Sequence, residues 1–190
     1  YFIAAALMVP DSEILIKNVG INPTRDGLLR VCQDMGADIT LLNENYGNGE
    51  PTADLLVRHS ELHGVTVGGS VIPTLIDELP VVAALACFAK GTTVIRDAQE
   101  LKVKESNRID VMVNNLRAMG AHIEGTDDGM IIEGGYPLHG AIIDSHLDHR
   151  IAMTFAITAL ASDGETSIKG ADCVKISYPG FYEDLTRLAK

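Results

Sequence analysis

Leu79-Pro80-Val81-Val82-Ala83-Ala84-Leu85-Ala86-Cys87-Phe88-Ala89 has no polar face. A helix that is apolar all round must be covered on every side. This stretch therefore predicts a central helix with sheets or other helices packed around it. Two further stretches read the same way, Tyr1–Val9 and Ile151–Ala161, and each of the three is followed by a polar turn and a short β-branched strand. Those strands are Ile14-Leu15-Ile16, Thr93-Val94-Ile95 and Thr166-Ser167-Ile168. After each comes a second, amphipathic helix, over about Thr24–Met35, Ser106–Met119 and Gly180–Leu188. In the middle one, Ile109, Met112, Val113, Leu116 and Met119 share a face at the helical period.

The repetition extends to single residues. Met35-Gly36-Ala37-Asp38-Ile39 matches Met119-Gly120-Ala121-His122-Ile123, 84 positions apart (119 minus 35). Gly91 and Gly164 match across the turns after the apolar helices, 73 apart (164 minus 91). Gly120 is placed to close its helix in the left-handed conformation. Asn43–Pro51 and Thr126–Gly129 are polar clusters that read as hairpin ends. Three recurrences of one phrase, in order, predict internal repeats. The fold expected is one α/β domain over residues 1–190 with a pseudo-threefold arrangement and its apolar helices inside sheets. The repeats would span about 1–67, 68–144 and 145–190. Ile3, Leu7, Val82, Leu85, Phe88, Ile151, Phe155 and Leu160 should then be almost fully buried. Tyr1 stands inside an apolar helical run with neither Met nor cap before it. A helix start needs capping residues, so the chain reads as a piece of something longer.

A net charge of −11 argues against nucleic acid or an anionic membrane surface as a general partner. The apolar runs are about half the length needed to span a bilayer, and no export signal is visible. Three cysteines, an odd number with no CxxC, read as reduced core thiols in a cytoplasmic protein. Against this acidic background Lys102-Val103-Lys104-Glu105-Ser106-Asn107-Arg108 stands out, packed with charge where a strand turns into a helix. Exposed N–H groups and the positive dipole end at such a place favour an anion. Asp77-Glu78 precede the second apolar helix and Asp148-His149-Arg150 the third, while Lys175 precedes the last amphipathic helix and Arg25 the first. Pseudo-threefold symmetry would gather these helix starts at one end. Arg grips carboxylate and phosphate bidentately and Lys acts as a point charge, so the ligand expected is small and multiply anionic. Glu105, Asp77, Asp148 and His149 among the cations supply groups for proton transfer. Taken singly, each residue reads better as something ordinary, Asp77 and Asp148 as helix caps or solvated ion pairs, His149 as a core or surface imidazole and Lys175 as a solvated lysine; recurrence at equivalent positions favours a site.

Lys102-x-Lys104-Glu105-Ser106-Asn107-Arg108, with Asp148-His149-Arg150-Ile151-Ala152-Met153 and Lys175, resembles the 5-enolpyruvylshikimate-3-phosphate (EPSP) synthase family. Ile76-Asp77-Glu78-Leu79-Pro80 and Asn22-Pro23-Thr24-Arg25 add to the likeness, which runs over the whole chain. The resemblance implies an enolpyruvyl transferase-like fold of βαβαββ repeats, of which this chain would be most of the C-terminal domain. It implies transfer of enolpyruvyl from phosphoenolpyruvate to the 5-hydroxyl of shikimate 3-phosphate, in the shikimate pathway to aromatic amino acids, with no cofactor. It makes Asp77, Lys104, Glu105 and His149 catalytic. Asp77 would take the hydroxyl proton and Glu105 would serve the methylene carbon. Asp77, Lys104, Arg108, Asp148, Arg150 and Lys175 would bind substrate. The implied partners are the two substrates and an N-terminal domain, in a cytoplasmic monomer. Asp110 and Asn114 depart from the small residue and the acid expected there. The family's Leu-Gly-Asn-Ala-Gly-Thr stretch and its shikimate 3-phosphate serines are absent, so the isolated piece is expected to be inactive. The related UDP-N-acetylglucosamine enolpyruvyl transferases, and a non-catalytic anion-binding module, are the alternatives at this point.

Overall fold

The structure is a computed structural model that describes residues 1–47 and 49–189. In chain order its elements are α1 (Phe2–Met8), β1 (Glu13–Gly20), α2 (Gly27–Asp34), β2 (Asp38–Asn45), β3 (Thr52–Arg58) and β4 (Thr66–Val67). Then come α3 (Leu79–Phe88), β5 (Gly91–Ile95), α4 (Arg108–Ala118), β6 (His122–Gly125) and β7 (Met130–Gly134). β8 (Ile142–Asp144), α5 (His149–Leu160), β9 (Ser167–Lys169) and α6 (Phe181–Leu188) complete the series. Four 3-10 segments, Gly69–Thr74, Ile76–Glu78, Gln99–Val103 and Ala171–Ile176, join them.

The three apolar helices are the centre, as their composition requires. α1, α3 and α5 pack on one another, and β3 and β7 lie against α1 and α3. Leu79 through Cys87 are all buried, with Pro80 in the first turn, where a missing N–H costs nothing. One sheet runs β1-β3-β2, all antiparallel; a second runs β4-β5-β7-β6, with only β4 and β5 parallel; the third is the parallel pair β8-β9. The chain is thus mixed α/β with helices inside sheets. The polar clusters join β2 to β3 and β6 to β7 as expected; Asn48 of the first cluster lies outside the described residues.

Backbone detail repeats with the sequence. Gly36 and Gly120 both have φ near +90°, as do Gly91 and Gly164. A second match, not part of the sequence reading, is Leu62-His63-Gly64 with Leu138-His139-Gly140. The His63 and His139 amides donate to Met35 and Met119 carbonyls, both at 2.9 Å, and Gly64 and Gly140 donate to Lys90 and Asp163. A Cβ on Gly64 would meet the Thr92 carbonyl oxygen at 2.3 Å, and one on Gly140 the Glu165 oxygen at 2.1 Å. Both positions require glycine because two backbones touch there.

Burial corrects the expectation at three residues. Leu7, Val82, Leu85, Ile151 and Phe155 are completely buried, but Ile3 and Phe88 are half-buried at the core's edge and Leu160 is 39% exposed. The offset that relates Gly164 to Gly91 relates Leu160 to Cys87. Cys87 is covered because the end of β7 crosses it, the Gly135 amide donating to the Cys87 carbonyl at 3.0 Å. Among the described residues, the third repeat has no counterpart of β6 and β7, so Leu160 borders an open groove of about 440 Å³ with Phe2, Leu185 and Leu188.

Leu85, at the centre of α3, measures how tightly this core is packed. Leu85→Ala should lower unfolding free energy by about 2–5 kcal/mol through lost transfer energy and a residual cavity, read as a shift in the urea midpoint at constant slope. A change under about 1 kcal/mol would contradict the central placement of α3.

Candidate functional site

The cluster begins at a helix cap. His146 and Leu147 both have φ near +55°, a conformation that costs a side-chain-bearing residue energy and tends to mark a functional turn. They deliver Asp148 as N-cap of α5, where Oδ1 accepts from the Arg150 amide at 2.9 Å. The other carboxylate oxygen points into the fold. Asp148 Oδ2 accepts from Arg108 Nε at 2.9 Å and from the Ser106 hydroxyl at 3.0 Å. Arg108, the first residue of α4, is completely buried, as is Asp148. Its remaining nitrogens donate to Asp77 Oδ1 at 3.2 Å and to Glu105 Oε2. One guanidinium therefore holds together a cap of α5, the segment before α3 and the turn into α4. Asn107 caps α4 and bonds Asp110 at 2.6 Å. This explains the acid at 110, which answers the helix dipole that the neighbouring cations oppose.

Asp77 is the second hub. Lys104 Nζ lies 3.4 Å and Arg108 Nη1 3.2 Å from its Oδ1, and Arg150 Nη2 lies 3.6 Å from its Oδ2. Partial burial pushes this carboxyl upward, but Arg150, Lys104 and Arg108 together bring it below the ordinary Asp value. Asp148 behaves alike: burial raises it, and the Arg108 and Ser106 hydrogen bonds more than offset that. Lys104 is held above the ordinary lysine value, chiefly by a 2.6 Å bond to Glu100 and then by Asp77. Arg150 donates through Nη1 to the Asp77 carbonyl and to Glu78 Oε1, both at 3.2 Å.

Asp77, Lys104, Glu105, Arg108, Asp148 and Arg150 are thus brought together at the N-terminal ends of α3, α4 and α5. His149 opens α5 beside them, half-buried. Two expected members stand apart. Lys175, in the 3-10 segment that packs on α5, is exposed and pairs with Asp172 at 2.8 Å, which raises its ammonium. Arg25 is exposed on the turn before α2 and joins none of these ion pairs among the described residues. Arg108 and Asp148, both completely buried, form the floor. Lys104, Glu105, Asp77 and Arg150 form the accessible rim. Glu78, Glu100 and the hydroxyl of Ser106 had no role assigned from sequence, although the offset from Glu100 to Lys104, one helical turn, is a legible pairing signal.

Chemically, the arrangement is a carboxylate flanked by three cations, with a second carboxylate across the guanidinium. It can stabilise a small polyanion and exchange protons beside it.

A model of the EPSP synthase family (3-phosphoshikimate 1-carboxyvinyltransferase) matches residues 1–185. A 3-phosphoshikimate 1-carboxyvinyltransferase of Thermoanaerobacter sp. (strain X514) is 55% identical over 188 residues, covering 99% of this chain and 44% of that protein. One from Brevibacillus brevis is 53% identical over the whole chain and 45% of its own length. Among solved structures, EPSP synthase from Acinetobacter baumannii superposes with a TM-score of 0.94 at 40% identity, over 98% of this chain and 44% of that one. The enolpyruvyl transferase NikO from Streptomyces tendae, at 22% identity and a TM-score of 0.78, shares the fold. The chain spans less than half the length of the curated relatives it matches. With the repeats, the clustered helix ends and the Asp77–Arg108–Asp148 hub already in place, these matches show that the chain belongs to the EPSP synthase family.

Proposed function

We propose that this chain contributes one half of a site that transfers enolpyruvyl from phosphoenolpyruvate to the 5-hydroxyl of shikimate 3-phosphate. The observation that carries the reading is the Asp77 carboxylate shared among Lys104, Arg108 and Arg150 at 3.2–3.6 Å, with Glu105 across Arg108. Arg150, Lys104 and, from the adjoining segment, Lys175 hold the phosphate and carboxylate of phosphoenolpyruvate. Arg108 adds fixed charge beneath them. Asp77 takes the 5-hydroxyl proton as that oxygen attacks the enol carbon, and Glu105 gives a proton to the methylene carbon. Collapse of the resulting ketal phosphate expels phosphate and returns the methyl proton to Glu105, with His149 at the rim to relay it. The remaining length of the relatives supplies the contacts that close over the substrates.

The three cations that depress Asp77 in the open site make it a weak base there. A phosphate and carboxylate lodged among them would offset that charge and strengthen the base as both substrates arrive. Asp77 then becomes competent only when the site is filled. The three free thiols, Cys32, Cys87 and Cys173, are consistent with a reducing compartment, and we place the protein in the cytoplasm as a monomer. Among the described residues no helix is long and apolar enough to cross a membrane.

The experiment that tests the reading on this chain is calorimetric titration with phosphoenolpyruvate. Binding should be weak and should fall roughly fivefold between ~0.02 M and ~0.3 M salt, because rim charges open to solvent are screened as the Debye length shortens. Salt-independent binding, or none at the lowest salt, would remove the anion site from the account.

A further inference from the structure

Arg150 is held by one edge. Both hydrogens of its Nη1 are used, one on the Asp77 carbonyl and one on Glu78 Oε1, each at 3.2 Å. Nη2 stands 3.6 Å from Asp77 Oδ2, inside ion-pair range but beyond a hydrogen bond. Among the described residues, no hydrogen bond is made by Nε or Nη2. The edge left over is the Nε–Nη2 fork, whose two parallel N–H groups match the two oxygens of a carboxylate or phosphate. Arg108 is the opposite case, with Nε, Nη1 and Nη2 all engaged by carboxylates and no open edge.

Glu78 occupies the place that creates this difference. It is the N-cap residue of α3, yet its side chain makes no cap hydrogen bond. It reaches instead across to α5, and both partners are about three-quarters buried. Without it, Nη1 would keep only one carbonyl acceptor, and the guanidinium could rotate toward the Asp77 carboxylate. That would close the fork with an internal ion pair.

We propose that Glu78 is a positioning residue, which fixes the Arg150 guanidinium by its Nη1 edge so that the Nε–Nη2 fork stays open for one anionic group of the substrate. The inference rests on the functional reading above and goes beyond it in naming how the fork is kept open. It makes a prediction against simple electrostatics. Removing a negative charge beside a cationic site should, on charge alone, tighten anion binding. If Glu78 orients the fork, Glu78→Ala should weaken it.

Phosphoenolpyruvate and, separately, inorganic phosphate are titrated into the wild-type chain, Glu78→Gln, Glu78→Ala, Arg150→Lys and the Glu78→Ala/Arg150→Lys double variant. Glu78→Ala should weaken phosphoenolpyruvate about tenfold, the scale of one lost charge-assisted hydrogen bond. Glu78→Gln, which keeps an acceptor in place, should recover most of that. Arg150→Lys keeps the charge but has no fork, and the double variant should bind no worse than it, since Glu78 acts only through Arg150. Additive losses, or equal or tighter binding by Glu78→Ala, would overturn the proposal. Nitrogen-15 spectra of the arginine side chains give a readout that needs no ligand. Separate Nη1 and Nη2 signals for Arg150 are expected in wild type and Glu78→Gln, and one averaged signal in Glu78→Ala; an averaged signal in wild type would overturn it. If Glu78→Ala does not fold, Glu78→Met, which keeps the bulk but offers no comparable acceptor, takes its place in the cycle and in the spectra. A wild type that binds neither anion would sink the functional reading, while the spectra would still decide whether Glu78 holds Arg150.

Discussion

Asp148→Asn should destabilise the fold by about 3 kcal/mol or more. Breaking a buried ion pair by removing one partner typically costs about 3–5 kcal/mol, because the other charge stays buried without its counter-ion. Asp77 and Glu105 still face Arg108, which places the expected loss toward the lower end; Asp148 is nonetheless its one fully buried partner. The same oxygens cap α5 and anchor Ser106, so one change loosens three elements. The pH dependence has a definite sign. Asp148 and Asp77 both have folded-state values below the unfolded carboxyl value, which is about 3.9. Their stabilisation is therefore complete above that value and is lost as pH falls through the lower folded values. Urea unfolding of wild type and variant should differ most at neutral pH and converge below about pH 4. A difference under about 1 kcal/mol, or one that stays constant into acid, would show that the Arg108–Asp148 pair is not the keystone described.

The second large effect is on catalysis. Residues 1–190 alone should release no phosphate above background from phosphoenolpyruvate plus shikimate 3-phosphate. Holding two reactants in near-attack geometry with water excluded can be worth about 7–11 kcal/mol, and none of that is available on an open rim. Glu105 and Lys104 stand at the surface, and the hub of Asp77, Arg108 and Arg150 is neutralised by its own carboxylates.

The parts of the molecule legible from sequence are those in which a local rule decides the structure. All-apolar runs have to be central, and glycines closing helices adopt positive φ; α3 and Gly120 followed both rules. The 3-10 segments were not legible, because three to six residues carry too little periodicity. The two-residue strand β4 exists only through its pairing with β5, which is far away in sequence. Leu160 misled because its helix is central while, among the described residues, no strand crosses it as the end of β7 crosses Cys87. At the site, the charged motifs named side chains that the fold brings together, Lys175 and Arg25 excepted. Their division into floor and rim depended on partners up to 73 residues away. Arginine is among the residues least often buried, so nothing local marks Arg108 as completely enclosed. Glu78 looks like a solvated cap until Arg150 is placed beside it.

The central claim is that this chain carries the proton-transfer groups and cations of an enolpyruvyl transferase. It is tested most directly by putting residues 1–190 in place of the matching segment of the Thermoanaerobacter relative and measuring phosphate release from phosphoenolpyruvate and shikimate 3-phosphate. The account predicts activity within about tenfold of the parent enzyme, and a loss of at least about 100-fold on Glu105→Gln, the scale of a general acid–base group. A folded chimera without activity, or one indifferent to Glu105→Gln, would contradict it.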